Sequence, residues 1–152
     1  MLVYRICLAK YADDLFASGR RARWNTQDKF VIYTAASRAL ACLENVVHRS
    51  GEGLNDAFRV LVIEVPDDVV VEEVTVAQLP VGWEKASRYA LCQPLGDAWY
   101  EQRRAAVLRV PSSIIPQEFN YILHTRHPDF KRLRIVAREE FGFDSRIKAA
   151  VA

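Results

Sequence analysis

No stretch of this chain is long and apolar enough to suggest a bilayer span. Apolar runs such as Phe30-Val31-Ile32-Tyr33 and Val60-Leu61-Val62-Ile63 stop after four residues, against the roughly 18 that a spanning helix calls for. Arg5 interrupts the apolar stretch behind Met1, so no secretory leader is expected and a cytoplasmic location is. Cysteine is scarce: Cys7, Cys42 and Cys92 make an odd count with no Cys-x-x-Cys or Cys/His metal spacing. That argues against a disulfide framework or a zinc site and leaves reduced, buried thiols. His48, His124 and His127 lack metal-ligand spacing too, and His127-Pro128 reads as structural.

Charge of one sign is also missing. Lys and Arg number 21 against 19 Asp and Glu, a net of +2, which is too near neutral for a dedicated nucleic-acid binder that works by releasing many counterions. There is no Gly-x-Gly-x-x-Gly turn and no Walker-type loop, which argues against a Rossmann or kinase-like use of a nucleotide. Ser112-Ser113 has no nucleophile-elbow context, so a serine hydrolase is not expected.

What is present fits one globular domain over residues 1–152. The chain is 51% hydrophobic and 26% charged, ordinary for a folded protein of a size that buries most of its apolar surface. Strands are predicted over Leu2 to Leu8, Phe30 to Thr34, Phe58 to Val65, Ala106 to Val110 and Leu133 to Arg138. Ala17 to Lys29 is polar and reads as a loop. Ala35 to Arg49 has helical spacing, with Ala36, Leu40, Leu43 and Val47 on one stripe, Glu44 at its border and Ser50-Gly51 as the stop. Asp67-Asp68 is expected to turn the chain into a strand over Val69 to Val76 that pairs antiparallel with the one before it. A second helix is expected from about Asp97 to Arg104, and Ile114 to Leu123 is ambiguous. The sum is an α+β domain.

Several polar residues are planted inside these apolar elements: Arg5, then Arg23-Trp24-Asn25, Tyr33, Glu44, and the turn at Val110-Pro111-Ser112-Ser113. Each has a plain structural reading. Arg5 could lie on an edge or pair with a carboxylate, and Arg20-Arg21-Ala22-Arg23 could be a solvated basic loop. Glu44 and His48 could be a surface pair worth about 0.3 kcal/mol. Tyr33 could be a core tyrosine, and Ser112 a turn residue or helix cap.

Taken in order, Tyr4-Arg5-Ile6, Arg23-Trp24-Asn25, Val31 to Ala35 running into Leu40 to Glu44, and Leu108 to Ser113 resemble the RES domain. That family is named for an Arg, a Glu and a Ser. Phe119-Asn120-Tyr121, His127-Pro128 and Phe143-Asp144-Ser145-Arg146 extend the resemblance over nearly the whole chain. One departure is local: members usually place glycines just ahead of Arg-Trp-Asn, whereas Arg20-Arg21-Ala22 stands here with only Gly19 upstream.

Members are typically the toxin halves of bacterial toxin–antitoxin pairs that destroy NAD. The resemblance therefore implies a fold like that of ADP-ribosyltransferases, a twisted mixed sheet split around a cleft with flanking helices. It implies Arg23, Glu44 and Ser112 as catalytic residues and Arg5, Tyr33, Trp24 and Asn25 as NAD-binding ones. NAD would be the substrate, with no metal or further cofactor, and hydrolysis or phosphorolysis of the nicotinamide–ribose bond the reaction. An Xre-type helix-turn-helix antitoxin would block the cleft in a hetero-oligomer and carry the DNA binding. The alternatives are ADP-ribosyl transfer to a protein, or a catalytically weak module that acts mainly by binding its antitoxin.

These roles have a chemical basis. Guanidinium forks suit a pyrophosphate. A carboxylate suits a ribose hydroxyl and the positive charge that grows at the anomeric carbon. The Tyr33 ring could stack on nicotinamide for about 0.5–1.5 kcal/mol, and the Ser112 hydroxyl could donate or accept.

Overall fold

β-Branched and aromatic runs become the strands of one mixed sheet in a computed structural model that describes residues 1–48 and 57–147. The elements in chain order are β1 (Leu2–Leu8), β2 (Val31–Ala35), α1 (Arg38–His48), β3 (Phe58–Glu64), β4 (Val71–Glu73), α2 (Tyr89–Gln102), β5 (Val107–Pro111), β6 (Phe119–His124) and β7 (Arg134–Phe141). The seven strands are ordered β4-β5-β6-β2-β1-β3-β7 in a single α+β domain. Neighbours are antiparallel except β4 and β5, which are parallel. No helix among the described residues is long and apolar enough to cross a membrane.

The middle of the sheet is nearly torn. β1 runs beside β3 over its whole length, and β2 beside β6 over all five of its residues. β1 and β2 meet only where Tyr4 faces Ala35. Beyond that rung the two half-sheets diverge, and backbone groups on both inner edges must find other partners.

Three apolar clusters fix these halves. Val3, Ile32, Leu61, Ile63, Val107 and Leu123 form one that both halves share. Trp24, Trp83, Trp99, Leu108 and Ile122 pack under α2. Ile6, Ala35, Leu40, Phe58 and Val60 pack under α1.

The structure corrects several expectations. Val69 to Val76 does not fold back on β3, because β1 and β7 occupy both edges of that strand. Only Val71–Glu73 is a strand, at the far edge beside β5. α2 starts at Tyr89 and ends at Gln102, closed by Arg103 in the left-handed region at φ 52. Its buried residues Cys92, Gln93, Gly96, Trp99 and Tyr100 do have helical spacing, but Pro94, Gly96 and Gln93 hide the pattern from a propensity reading. α1 starts at Arg38, because β2 continues to Ala35 and Ser37 then caps the helix, its Oγ accepting from Leu40 N at 3.1 Å.

The buried stripe of α1 is also shifted. Leu40 and Ala41 are covered while Leu43 and Val47 are exposed, and this turns Glu44 toward the torn seam. The expected stop at Ser50-Gly51 lies outside the described residues. Ile114 to Leu123 resolves into a turn followed by β6, and β7 runs three residues past the expected end of the last strand at Arg138.

Candidate functional site

The divergence of β1 and β2 opens a cavity of about 610 Å³. β1 contributes Tyr4, Arg5 and Ile6, β2 contributes Tyr33, Thr34 and Ala35, and α1 contributes Ala41, Glu44, Asn45 and His48. The loop between β1 and β2 closes it with Arg20, Arg21, Ala22, Arg23 and Trp24. Arg23 and Glu44, 21 residues apart in sequence, thus line one hollow.

Glu44 is held at both oxygens. Ser112 Oγ donates to Oε1 at 2.9 Å, and His48 Nε2 lies 3.3 Å from Oε2. The carboxylate side chain keeps 19% of its surface open, so it remains reachable from the cavity. Ser112 is fully buried, and its oxygen also accepts from Ile114 N and Ile115 N at 3.1 and 3.2 Å. With its one hydrogen given to Glu44, this hydroxyl has no further donor. The side chain that follows, Ser113, lines the cavity instead.

The arginine-bearing loop is moulded by α2. Gln93 Nε2 donates to Ala22 O at 2.9 Å and Asn25 O at 3.2 Å. One turn later Asp97 accepts from Thr26 N at 3.0 Å and Thr26 Oγ1 at 2.7 Å. Between them Gly96 lets the loop backbone lie against the helix, where a Cβ would stand 1.7 Å from Trp24 O. Asn25 completes the mould from within, its amide donating to Arg20 O at 2.8 Å and Thr26 O at 3.0 Å.

Tyr33 joins loop to sheet. Its hydroxyl accepts from Trp24 N at 3.0 Å and donates to Asn25 Oδ1 at 2.6 Å. Burial pushes the phenol well above its ordinary range, only partly opposed by the Trp24 N–H. Tyr33 is therefore a fixed neutral ring rather than a proton carrier. Arg5 reaches across the tear and donates from Nη1 to Tyr33 O at 2.9 Å, satisfying a carbonyl that the diverging strands leave without a ladder partner. Burial lowers its affinity for the proton while the Cys7 thiol acts in the opposite sense, and a guanidinium stays charged under both.

Arg23 is 8% exposed and laces the segment before α2. Its Nη1 donates to Trp83 O at 2.6 Å and Lys85 O at 3.3 Å, its Nη2 to Glu84 O at 3.2 Å, and the guanidinium lies 4.7 Å from the Tyr89 ring centre. These partners are backbone carbonyls, which bring no formal counter-charge to the cavity wall.

The structure thus brings Arg5, Arg23, Trp24, Tyr33 and Glu44 to one cavity. Asn25 and Ser112 stand behind it, with their side chains engaged in the hydrogen bonds above. Sequence reasoning passed over Arg20 and Arg21 as a solvated face; both are exposed and both line the cavity. It also missed Asn45, whose buried Oδ1 has no hydrogen-bond partner among the described residues, and Tyr89. The signal for Asn45 was available: it directly follows Glu44 on the flank of α1 that turns inward.

A second cavity, of about 820 Å³, adjoins the first. Arg5, Arg20, Arg21, Ala22 and Tyr33 line both. Arg5, Arg20 and Arg21 therefore border both hollows, and the wall they share is the neck between them.

The sequence matches the family described as RES domain over residues 2–144. It is 38% identical over 141 residues to a protein named Prs ADP-ribosylating toxin from Sphingobium sp. (strain YBL2), covering 90% of this chain and 88% of that one. It is 33% identical to a protein named Toxin Res from Photorhabdus laumondii, covering 99% of each chain. A Toxin Res from Yersinia enterocolitica is 31% identical, covering 97% of this chain and all of that one. With the match running from the first strand to beyond the last, the chain belongs to the RES domain family.

Proposed function

We propose that this protein is an NAD-consuming toxin that breaks the nicotinamide–ribose bond, with Glu44 as the residue that stabilises the reacting sugar. The observation that carries this reading is the pairing of one carboxylate, Glu44, with four arginines, Arg5, Arg20, Arg21 and Arg23, around one cavity. A dinucleotide has the matching charges: a doubly anionic diphosphate, and an anomeric carbon that turns positive as neutral nicotinamide leaves. The torn mixed sheet supports the finer assignment to an ADP-ribosyltransferase-like fold.

The chemistry follows from the geometry. The C1′–N bond breaks with its electron pair going to nicotinamide, and the oxocarbenium-like sugar is stabilised by the Glu44 carboxylate. Ser112 holds one oxygen of that carboxylate, which leaves the remaining lone pairs for a ribose hydroxyl. The phosphates are fixed before the bond breaks, so the stabilising charges need no rearrangement in the transition state. An acceptor then adds at C1′. Water yields ADP-ribose and a proton, and inorganic phosphate yields the phosphate ester.

Protein ADP-ribosylation is the second reading, and the name of the Sphingobium relative favours it. It uses the same bond cleavage with a protein side chain as acceptor. A partner antitoxin of the Xre type, closing the cleft, fits the relatives named Toxin Res.

The test is to follow NAD by NMR with purified protein, with and without phosphate, alongside labelled NAD and cell extract. Nicotinamide release is expected in every arm, and the second product identifies the acceptor. Glu44→Gln is expected to lower kcat by about 10²–10³-fold, the scale of losing one preorganised electrostatic partner. Equal turnover by wild type and Glu44→Gln, or none by either, would overturn the proposal and leave antitoxin binding as the function.

A further inference from the structure

The described chain leaves two aromatic side chains exposed, and both line the second cavity. Phe16 is 76% exposed and Tyr11 63%. Phe16 faces outward while its neighbours Leu15 and Ala17 pack against the main apolar cluster. The segment is anchored from behind, with Ala12 buried in the same cluster and Arg138 of β7 donating to Ala12 O at 2.8 Å and Asp13 O at 2.6 Å. Asp13 and Asp14 line the cavity beside the rings, and neither carboxylate has an ion pair among the described residues. Exposed rings and unpaired acids are thus held in place next to three guanidinium groups.

We infer that the second cavity is the subsite for the purine nucleoside half of the dinucleotide. This rests on the NAD reading above. The neck fits the diphosphate, with Glu44 to one side for the nicotinamide ribose and Phe16, Tyr11 and the two aspartates to the other. A base stacked on Phe16 gains affinity because every base has a π-face. Carboxylates accept hydrogen bonds and do not donate, so Asp13 and Asp14 select a base edge that presents an amino group. Adenine presents such a group at its 6-amino position. The cavity thereby confers selectivity for the dinucleotide over its nicotinamide mononucleotide half.

The test compares wild type, Phe16→Ala and Asp14→Asn, with thermal midpoints showing that the exposed substitutions leave the fold intact. Steady-state turnover is measured with NAD and with nicotinamide mononucleotide, and binding of ADP is measured by titration calorimetry. For Phe16→Ala, the ratio of kcat/KM for NAD to that for the mononucleotide is expected to fall by about 5- to 100-fold, the range for one stacked base. ADP affinity is expected to fall by a similar factor. If both substrates lose equally, or ADP binds wild type and Phe16→Ala alike, the assignment is overturned and the rings serve a protein partner instead. If wild type cleaves neither substrate but binds ADP in a Phe16-dependent way, the subsite stands and only the cleavage reading falls.

Discussion

Ser112 donates its hydroxyl hydrogen to Glu44 at 2.9 Å while its oxygen takes the backbone N–H groups of Ile114 and Ile115. One buried atom thereby ties the turn after β5 to the carboxylate on α1, 68 residues away in sequence. The same Glu44 has its other oxygen beside His48.

Ser112→Ala should therefore damage orientation and stability together. Leaving two part-buried N–H groups without an acceptor costs about 1–3 kcal/mol, to be read as a lower urea midpoint. A carboxylate free to swing should lower kcat for NAD cleavage by about 10- to 100-fold, since small misplacements of a reacting group carry costs of that size. KM should change little, because Ser112 does not line the cavity.

Asp97→Asn should show the opposite kinetic pattern. The native carboxylate takes both the amide and the hydroxyl of Thr26, and an asparagine side chain keeps only one accepting oxygen. The loop bearing Arg20 to Arg23 then loosens while Glu44 is untouched. KM for NAD should rise by about fivefold, the equivalent of one weakened charge-assisted hydrogen bond, with a smaller change in kcat. Steady-state kinetics over a range of NAD concentrations separates the two.

Gly96→Ala is a sharper test of how the loop is seated. Inside a helix alanine is normally better than glycine by about 1 kcal/mol. At this position the new Cβ would meet Trp24 O at 1.7 Å, and a backbone atom cannot move aside as a side chain can. Loop and helix must separate, at a cost of about 3 kcal/mol or more. Thermal unfolding should show a clear loss, and an unchanged or raised midpoint would mean that loop and helix are not packed this way.

His124 makes stability depend on pH. Its ring is fully buried, stacked on Tyr100 at 4.0 Å, with Nδ1 accepting from Arg126 N and Nε2 beside Tyr100 O at 2.9 Å. That fixes the neutral form with hydrogen on Nε2, and burial lowers its affinity for a second proton below the ordinary value of 6.5. The unfolded chain then binds more protons than the folded one just below that value. The contribution is full above about pH 6.5 and is lost as pH falls through 6.5 toward the lowered folded value, with a slope of at most about 1.4 kcal/mol per pH unit. Urea unfolding at stepped pH should show the decline, and the His124 ring signals should keep their neutral positions as pH passes 6.5.

The sheet was largely legible in the sequence, because β-branched runs such as Phe58 to Glu64 carry their own signal. What failed was pairing and competition. Whether Val71 to Glu73 joins β3 or β5 depends on β7, more than 60 residues later, claiming the edge of β3. α2 was half missed because Gly96 and Pro94 read as breakers, although Gly96 is required there by the loop it touches. Of the residues that the resemblance named, Arg5, Arg23, Trp24, Tyr33 and Glu44 line one cavity, but local sequence cannot tell a side chain that faces a cavity from one that braces it. Ser112 and Ser113 are adjacent and chemically identical, and only the turn after Pro111 decides which is buried. Arg20 and Arg21 looked like ordinary surface charge because a cavity wall made by a loop has no periodicity.

The lone rung between Tyr4 and Ala35 has a mechanical consequence. The two half-sheets share that backbone rung, the Arg5 to Tyr33 bond and one apolar cluster, so along their seam they are laid out like a book with a short spine. Anything anionic gripped by Arg5 on one page and by the basic loop on the other acts as a clasp, so the filled protein should be stiffer than the empty one along that spine.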